Sequence, residues 1–243
     1  DVFETENFID GPKDTPKTPL YLNTSPEFHM KRLLCQGYPD IFQISKAFRN
    51  GETGRRHQWE FSILEWYRLG WDGAQLREEI IDFVADFGFR GEVKEWSWRN
   101  LFNEKLGIDP INVSLEELVS VCHSHHLSLL VFEGESESFQ LESYLDYLLV
   151  SIIEPQLGWD GPEWVIDYPA DQAALARTWK DDEGHLWAHR FELYIEGVEI
   201  CNGYWELTDF KEQLRRFHQD QMKRKQLGKR ILKQDDELIK AME

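Results

Sequence analysis

IFQISKAFRNGETGRRHQWEFSILEWYR, residues 41–68, decides how the rest of the chain is read. Phe42 and Ile44 alternate with Gln43 and Ser45, and the same period of two returns after residue 60, so two strands are expected, 41–48 and 60–68. The segment between them, residues 49–59, is polar and basic, with Gly51, Gly54, Arg49, Arg55, Arg56 and His57. Guanidinium groups bind phosphate oxygens bidentately and stay charged at any accessible pH, so such a loop can cradle an anion. By composition alone such a tip is more often a solvated turn. A period of two also puts Phe61, Ile63, Glu65 and Tyr67 on one face of the second strand. An aromatic ring, a carboxylate and a phenol then share a surface beside a group of cations. That suits a ligand with a base to stack, phosphates to hold and an amine to recognise.

Composition bounds the reading. The 243 residues suffice for one large domain or two small ones, and 41% hydrophobic residues with ten tryptophans argue against disorder. Acidic residues outnumber basic ones 45 to 27, a net charge of −18. Neutralisation of phosphates supplies most non-specific nucleic-acid affinity, so a nucleic acid is not expected as the main partner, and a basic protein is the easier reading. Cys35, Cys122 and Cys201 are far apart with no CxxC, as in reduced thiols of a cytoplasmic protein. No long apolar run and no basic-then-apolar leader occurs, so no membrane partner is expected. The chain starts at Asp1 in what reads as mid-strand, without an initiating Met, and a fragment is expected.

Upstream of the hairpin, residues 2–5 and 20–22 read as short strands around a Pro- and Gly-rich surface loop, residues 11–19. Thr24-Ser25-Pro26-Glu27 offers a capping hydroxyl and a Pro at the first position of a helix running to Gln36. Glu27 in that first turn complements the helix dipole. Downstream, helices are expected over 72–87, 95–106, 114–122, 141–154 and 207–227, with Ser114 and Glu117 forming a capping box. Residues 133–142, rich in acids, read as a solvated loop or helix entry. Cys122-His123-Ser124-His125-His126 has metal-ligand residue types, but one short run cannot close a tetrahedral site, and a polar helix end is the better account. The basic face of the last helix, Arg215, Arg216, Lys223, Arg224 and Lys225, reads as solvated.

A strand at 163–168 precedes a second hairpin, 191–195 and 198–201, turning at Glu196-Gly197. Glu192 and Glu199 fall on the same face of it in either plausible register. Like charges set close across two strands ask for a cation, and hard carboxylate oxygens suit Mg²⁺. On a wet face the two acids need no ion.

Phe48-Arg49, a short loop, Arg56-His57 and Phe61 together resemble motif 2 of the class II aminoacyl-tRNA synthetases. Glu60-Phe61 with Leu64-Glu65-Trp66-Tyr67 and the segment from Ser25-Pro26-Glu27 to Leu34 resemble the lysine-type branch. Tyr168 to Ala176, YPADQAALA, is most similar to the elongation factor P-(R)-β-lysine ligases, paralogues of lysyl-tRNA synthetase. Glu199, Asn202, Gly203, Glu206 and Leu207 resemble that branch's E-x-x-N-G-x-x-E-L pattern.

The resemblance implies an α+β fold: a class II synthetase-like antiparallel sheet flanked by helices, one catalytic domain over 1–243, incomplete at both ends, with 96–158 as a mostly helical insertion. It implies ATP and Mg²⁺ as cofactors and formation of an aminoacyl-adenylate from lysine or (R)-β-lysine. The acyl group then passes to a lysine of elongation factor P. A tRNA acceptor, or a non-catalytic paralogue that only binds, is the alternative, and a homodimer is implied. Residue by residue, Arg49 is the implied catalytic group on the α-phosphate. Arg49, Asn50, Gly51, Glu52, His57, Gln58, Phe61, Glu199 and Ile200 are the implied ATP contacts, with Arg55 or Arg56 on the outer phosphates. Ser25, Pro26, Glu27, Glu65, Tyr67, Asn202 and Glu206 are the implied amino-acid site, and Glu192 with Glu199 the implied metal ligands. Gly51 stands where the family usually has Glu, Gln58 where it has Asn, and Trp59 where it has Pro.

Overall fold

A computed structural model describes residues 2–6, 19–51, 54, 57–226, 228–231 and 233–243. In chain order the strands and helices are β1 (Glu4–Glu6), β2 (Pro19–Tyr21), α1 (Glu27–Cys35), β3 (Ile41–Phe48), β4 (Glu60–Tyr67), α2 (Gly73–Asp86), β5 (Lys94–Ser97), α3 (Trp98–Leu106), α4 (Leu115–Ser124), α5 (Glu137–Leu148), β6 (Glu163–Pro169), β7 (Thr178–Lys180), β8 (Leu186–Ile195), β9 (Val198–Tyr204), α6 (Phe210–Gln226) and α7 (Asp236–Met242). They pack as two compact units, Asp1–Gly70 with Thr208–Glu243, and Trp71–Leu207.

In the first unit β3 and β4 pair antiparallel without a slip, from Ile41 opposite Tyr67 to Phe48 opposite Glu60. The ladder continues one step further, the Arg49 N–H donating to the Trp59 carbonyl at 3.0 Å. Helix α1 begins one residue later than expected. Pro26 takes the capping position, and the Ser25 hydroxyl accepts the Glu27 N–H at 3.1 Å, doing the work of a cap from one residue further back. Gly37, at φ +87°, stops the helix. Met30 of α1 and Leu238 and Ile239 of α7 are buried, and Arg32 pairs with Asp235 at 2.6 Å. β1 and β2 form a separate antiparallel pair. The expected surface loop falls almost wholly on residues 7–18, outside the described residues.

The second unit is built on β8. One edge of β8 pairs with β6, and the other is shared by β7 near its start and β9 towards its end. β5 extends the sheet beyond β6 and runs parallel to it, so the sheet is antiparallel except for that pair. The helix expected over 95–106 is therefore shorter. The Ser97 hydroxyl accepts the Asn100 N–H at 3.3 Å and starts α3 at Trp98, which leaves residues 94–97 to the sheet. The helix expected over 141–154 starts at Glu137, behind the Ser136 cap, and its regular part ends at Leu148. A wide turn, Leu149–Ile153, and a tight one, Glu154–Gln156, follow; Pro155 sits inside the tight turn, where it need not donate an N–H.

The core between helices and sheet includes Trp98, Leu101, Phe102, Leu118, Cys122, Leu148, Ile153, Leu157, Val165, Tyr168 and Tyr194. Burial of Cys122 at the end of α4, with His123, His125 and His126 exposed, agrees with a polar helix end. Glu196 and Gly197 both have positive φ, 50° and 70°, as a two-residue hairpin turn requires. β9 carries a bulge at Ile200: Tyr194 faces Glu199, whereas Leu193 faces Cys201 and Glu192 faces Asn202. No helix among the described residues is long and apolar enough to cross a membrane.

Candidate active site

In the first unit the exposed and half-buried faces of the hairpin differ in chemistry. Phe42 and Ile44 lie on one face, largely exposed. The other face carries Phe61, Ile63, Glu65 and Tyr67, as the period of two requires. Arg49 leaves the end of β3 so that its guanidinium lies 5.2 Å from the centre of the Phe61 ring, and its Nε donates to the Thr24 carbonyl at 3.3 Å. Asn50, Gly51, His57 and Gln58 are exposed beyond the strand ends. Glu52, Arg55 and Arg56 lie outside the described residues.

Glu65 is the best-organised group of this unit. Its Oε2 accepts the Ser25 hydroxyl at 3.0 Å and its Oε1 accepts the Tyr67 hydroxyl at 2.8 Å. Burial raises its carboxyl above the usual range, a push that these two bonds and the nearby Lys31 ammonium offset in part and Glu27 reinforces. Glu27 pairs with Lys31 at 2.8 Å. Two lone-pair positions on Glu65 remain for a ligand once Ser25 and Tyr67 are counted, enough for a primary ammonium.

In the second unit an open cavity of about 490 Å³ is lined by Asp146, Glu154, Asp171, Glu192 and Glu199, with Arg190, Tyr168 and Gln172. Glu192 and Glu199 line it together because the two-residue turn pairs Ile195 with Val198 and Tyr194 with Glu199, and Tyr194 shares its face of β8 with Glu192; the bulge at Ile200 shifts the register only from Cys201 onward. Glu192 is buried and held by three donors. Arg190 Nη2 reaches Oε1 at 2.5 Å, while the Tyr168 and Tyr194 hydroxyls reach Oε2 at 2.5 and 2.7 Å. Burial beside that carboxylate pushes both phenols well above their ordinary range. The same enclosure raises Asp146. Five carboxylates against one guanidinium line this cavity, and hard carboxylate oxygens are the donor type that Mg²⁺ takes; Glu199 and the remaining lone pair of Glu192 are the groups that could hold such an ion.

Asn202 stands on β9 opposite Glu192, exposed. Ile200 is the bulge residue itself. Glu206 is half-buried in the second unit, where its backbone bridges to Ala176 and its carbonyl accepts Arg177 Nε at 2.9 Å. Sequence reasoning missed Lys31, Arg190, Tyr168 and Tyr194. The i, i+4 step from Glu27 and the i, i±2 steps from Glu192 were legible signals for three of them. It also missed Asp181, Glu183 and His185 at the β7–β8 turn. These acids are bound to Trp187 at 2.7 Å and Arg99 at 2.9 Å, and they form an ion-pair network.

The family model of class II tRNA synthetases (D, K and N) matches residues 4–243. The chain belongs to this family. Among its class II relatives, the elongation factor P-(R)-β-lysine ligase of Vibrio parahaemolyticus is 41% identical over 243 residues, all of this chain and 72% of the relative. The ligases of the same name from Pasteurella multocida and Mannheimia succiniciproducens are each 39% identical, over 92% and 100% of this chain and 67% and 72% of their own lengths. A class II synthetase domain accounts for the mixed α+β architecture and its antiparallel-rich sheets.

Proposed function

We propose that this protein activates (R)-β-lysine as an aminoacyl-adenylate with ATP and transfers it to a lysine side chain of elongation factor P. The observation that carries the reading is identity of about 40% along the whole chain to ligases of that name. Lysine in place of (R)-β-lysine, and a tRNA 3′ end in place of the protein acceptor, is the second reading, favoured by the inclusion of lysine enzymes in the matched family. The family match spans both compact units. We take 1–243 as part of one catalytic domain, with 96–158 as a mostly helical insertion and a homodimer as its working state.

The roles follow from the side chains. The substrate carboxylate attacks the α-phosphorus of ATP and pyrophosphate leaves, a step that needs positioning and charge neutralisation more than covalent help. Arg49 neutralises charge on the α-phosphate, held by the Thr24 carbonyl. Phe61 offers its ring to adenine, and Asn50, Gly51, Glu52, His57, Gln58 and Ile200 complete the nucleotide contacts, with Arg55 or Arg56 near the outer phosphates. Bound Mg²⁺ would supply charge neutralisation on the phosphates. Glu192, fixed by Arg190, Tyr168 and Tyr194, and Glu199 would hold it. Ser25, Pro26 and Glu27 bind the head of the amino acid, Asn202 contacts it, and Glu65 with Tyr67 and Glu206 selects its distal ammonium.

The acceptor assay tests the reading. Labelled (R)-β-lysine, ATP and the protein are incubated with elongation factor P or with lysine tRNA. Label on elongation factor P alone is expected. Label on tRNA alone would replace the reading with the second one, and adenylate formation with neither acceptor labelled would also overturn it. Binding of ATP without any adenylate would point to a non-catalytic paralogue.

A further inference from the structure

Lys31 stands one turn after Glu27 on α1, with its ammonium 2.8 Å from Glu27 Oε1. An exposed pair at this spacing does little, because water screens it. This one is not exposed: 12% of the Lys31 side chain and 22% of the Glu27 side chain reach solvent. Both charges act on Glu65, which the Ser25 and Tyr67 hydroxyls hold in place. Glu27, Lys31 and Glu65 therefore form one cluster of two carboxylates and one ammonium. Its formal charge is −1.

A lysine-type amino acid is its mirror image in charge, with two ammonium groups and one carboxylate. We propose that Lys31 is a specificity-determining residue of the amino-acid site. The Glu27–Lys31 pair takes the ligand's head, ammonium towards Glu27 and carboxylate towards Lys31, and leaves Glu65 with Tyr67 for the distal ammonium. The assignment rests on reading this cluster as the lysine-type site and adds the group that reads the ligand's negative charge. Specificity then has a repulsive element as well as an attractive one. A diamine brings a second ammonium and no carboxylate to the Glu27–Lys31 pair, so it is repelled by the Lys31 ammonium with no compensating attraction, and an amino acid without a distal amine leaves the Glu65 carboxylate without its cation.

The test is calorimetric titration of the full chain, without ATP, with L-lysine, (R)-β-lysine and their carboxamides. Wild type, Lys31→Met and Lys31→Arg are compared. In the wild type, amidation should weaken binding by about tenfold or more, the scale expected when one partner of a half-buried charge pair is removed. In Lys31→Met the acid should bind about as weakly as the amide, the ratio falling towards one, and Lys31→Arg should restore most of it. The same amidation ratio in Lys31→Met as in wild type would overturn the proposal. A merely structural role would lower acid and amide together without changing their ratio. If Lys31→Met does not fold, the wild type alone decides. Pentane-1,5-diamine binding as tightly as L-lysine overturns the proposal, and at least about tenfold weaker binding supports it. Failure of the underlying site reading has a different signature: Glu65→Gln would keep full affinity for every ligand with a distal amine.

Discussion

Glu192→Gln removes one negative charge at a point where the protein has arranged three donors around it. The carboxylate is 5% exposed and the Arg190 side chain 19%. Breaking a buried ion pair by removing one partner costs about 3–5 kcal/mol, because the other charge is left uncompensated. Glutamine keeps the volume and one acceptor oxygen, and Arg190 keeps its bond to the Gln172 carbonyl at 2.9 Å and its place 4.5 Å from the centre of the Tyr168 ring. The low end, about 3 kcal/mol, is therefore expected. For a chain of this size that corresponds to a fall in Tm of about 6–12 °C. Tyr194→Phe removes the hydroxyl that donates to Glu192 at 2.7 Å and lies 3.3 Å from Glu154, and should cost less, about 1.5–3 kcal/mol. The double variant Arg190→Met with Glu192→Gln should be destabilised by less than the sum of its singles, since each removes what the other strands. Thermal unfolding followed by circular dichroism and tryptophan fluorescence compares the wild type with Glu192→Gln, Tyr194→Phe, Arg190→Met and the double variant. A Glu192→Gln protein within about 0.5 kcal/mol of wild type, or strictly additive singles, would refute the claim that this cradle is a coupled charge network.

Other perturbations have equally definite outcomes. Glu65 has a folded-state pKa raised above its unfolded value, so its contribution to stability falls as pH rises from about 4.5 through the raised value. The Tm of wild type relative to Glu65→Gln should decline between pH 4 and pH 7, and a flat difference would count against the burial argument. Asp109 is held down to about 2 by Arg99, which donates to both of its oxygens at 2.8 Å. Its stabilisation should be complete above about pH 4 and lost as pH falls towards 2, read as the difference between wild type and Asp109→Asn in acid titrations. At Gly158, φ is +75° and an added Cβ would lie 2.4 Å from the Tyr194 carbonyl oxygen. Gly158→Ala should therefore lower Tm markedly or abolish folding, whereas Gly107→Ala, with open space and only the φ of +68° against it, should cost about 1 kcal/mol.

The first hairpin was legible from residues 41–68 alone because alternation on both arms fixes which side chains share a face. Phe61, Glu65 and Tyr67 were grouped correctly for that reason. The second hairpin was legible through its Glu196-Gly197 turn, and Glu192 and Glu199 were grouped correctly although β9 contains a bulge that nothing in the sequence announces. β5 was not legible. Four residues leading into a helix carry the helix's own pattern, and only the parallel pairing with β6, nearly seventy residues later, makes them a strand. The same limit hid the setting of the acidic groups. Tyr168 and Glu192 are 24 residues apart, and Ser25 and Glu65 are 40 apart, so the bonds that fix each carboxylate depend on tertiary structure. The Glu27–Lys31 pair was within reach of the i, i+4 rule, but its meaning depends on Glu65.

ATP–pyrophosphate exchange by the intact protein, run side by side with (R)-β-lysine and L-lysine, tests the central claim most directly. Exchange with a clear preference for (R)-β-lysine, lost in Arg49→Ala, is the predicted result. A preference for L-lysine, or no exchange with either amino acid by folded protein that binds ATP, would contradict it.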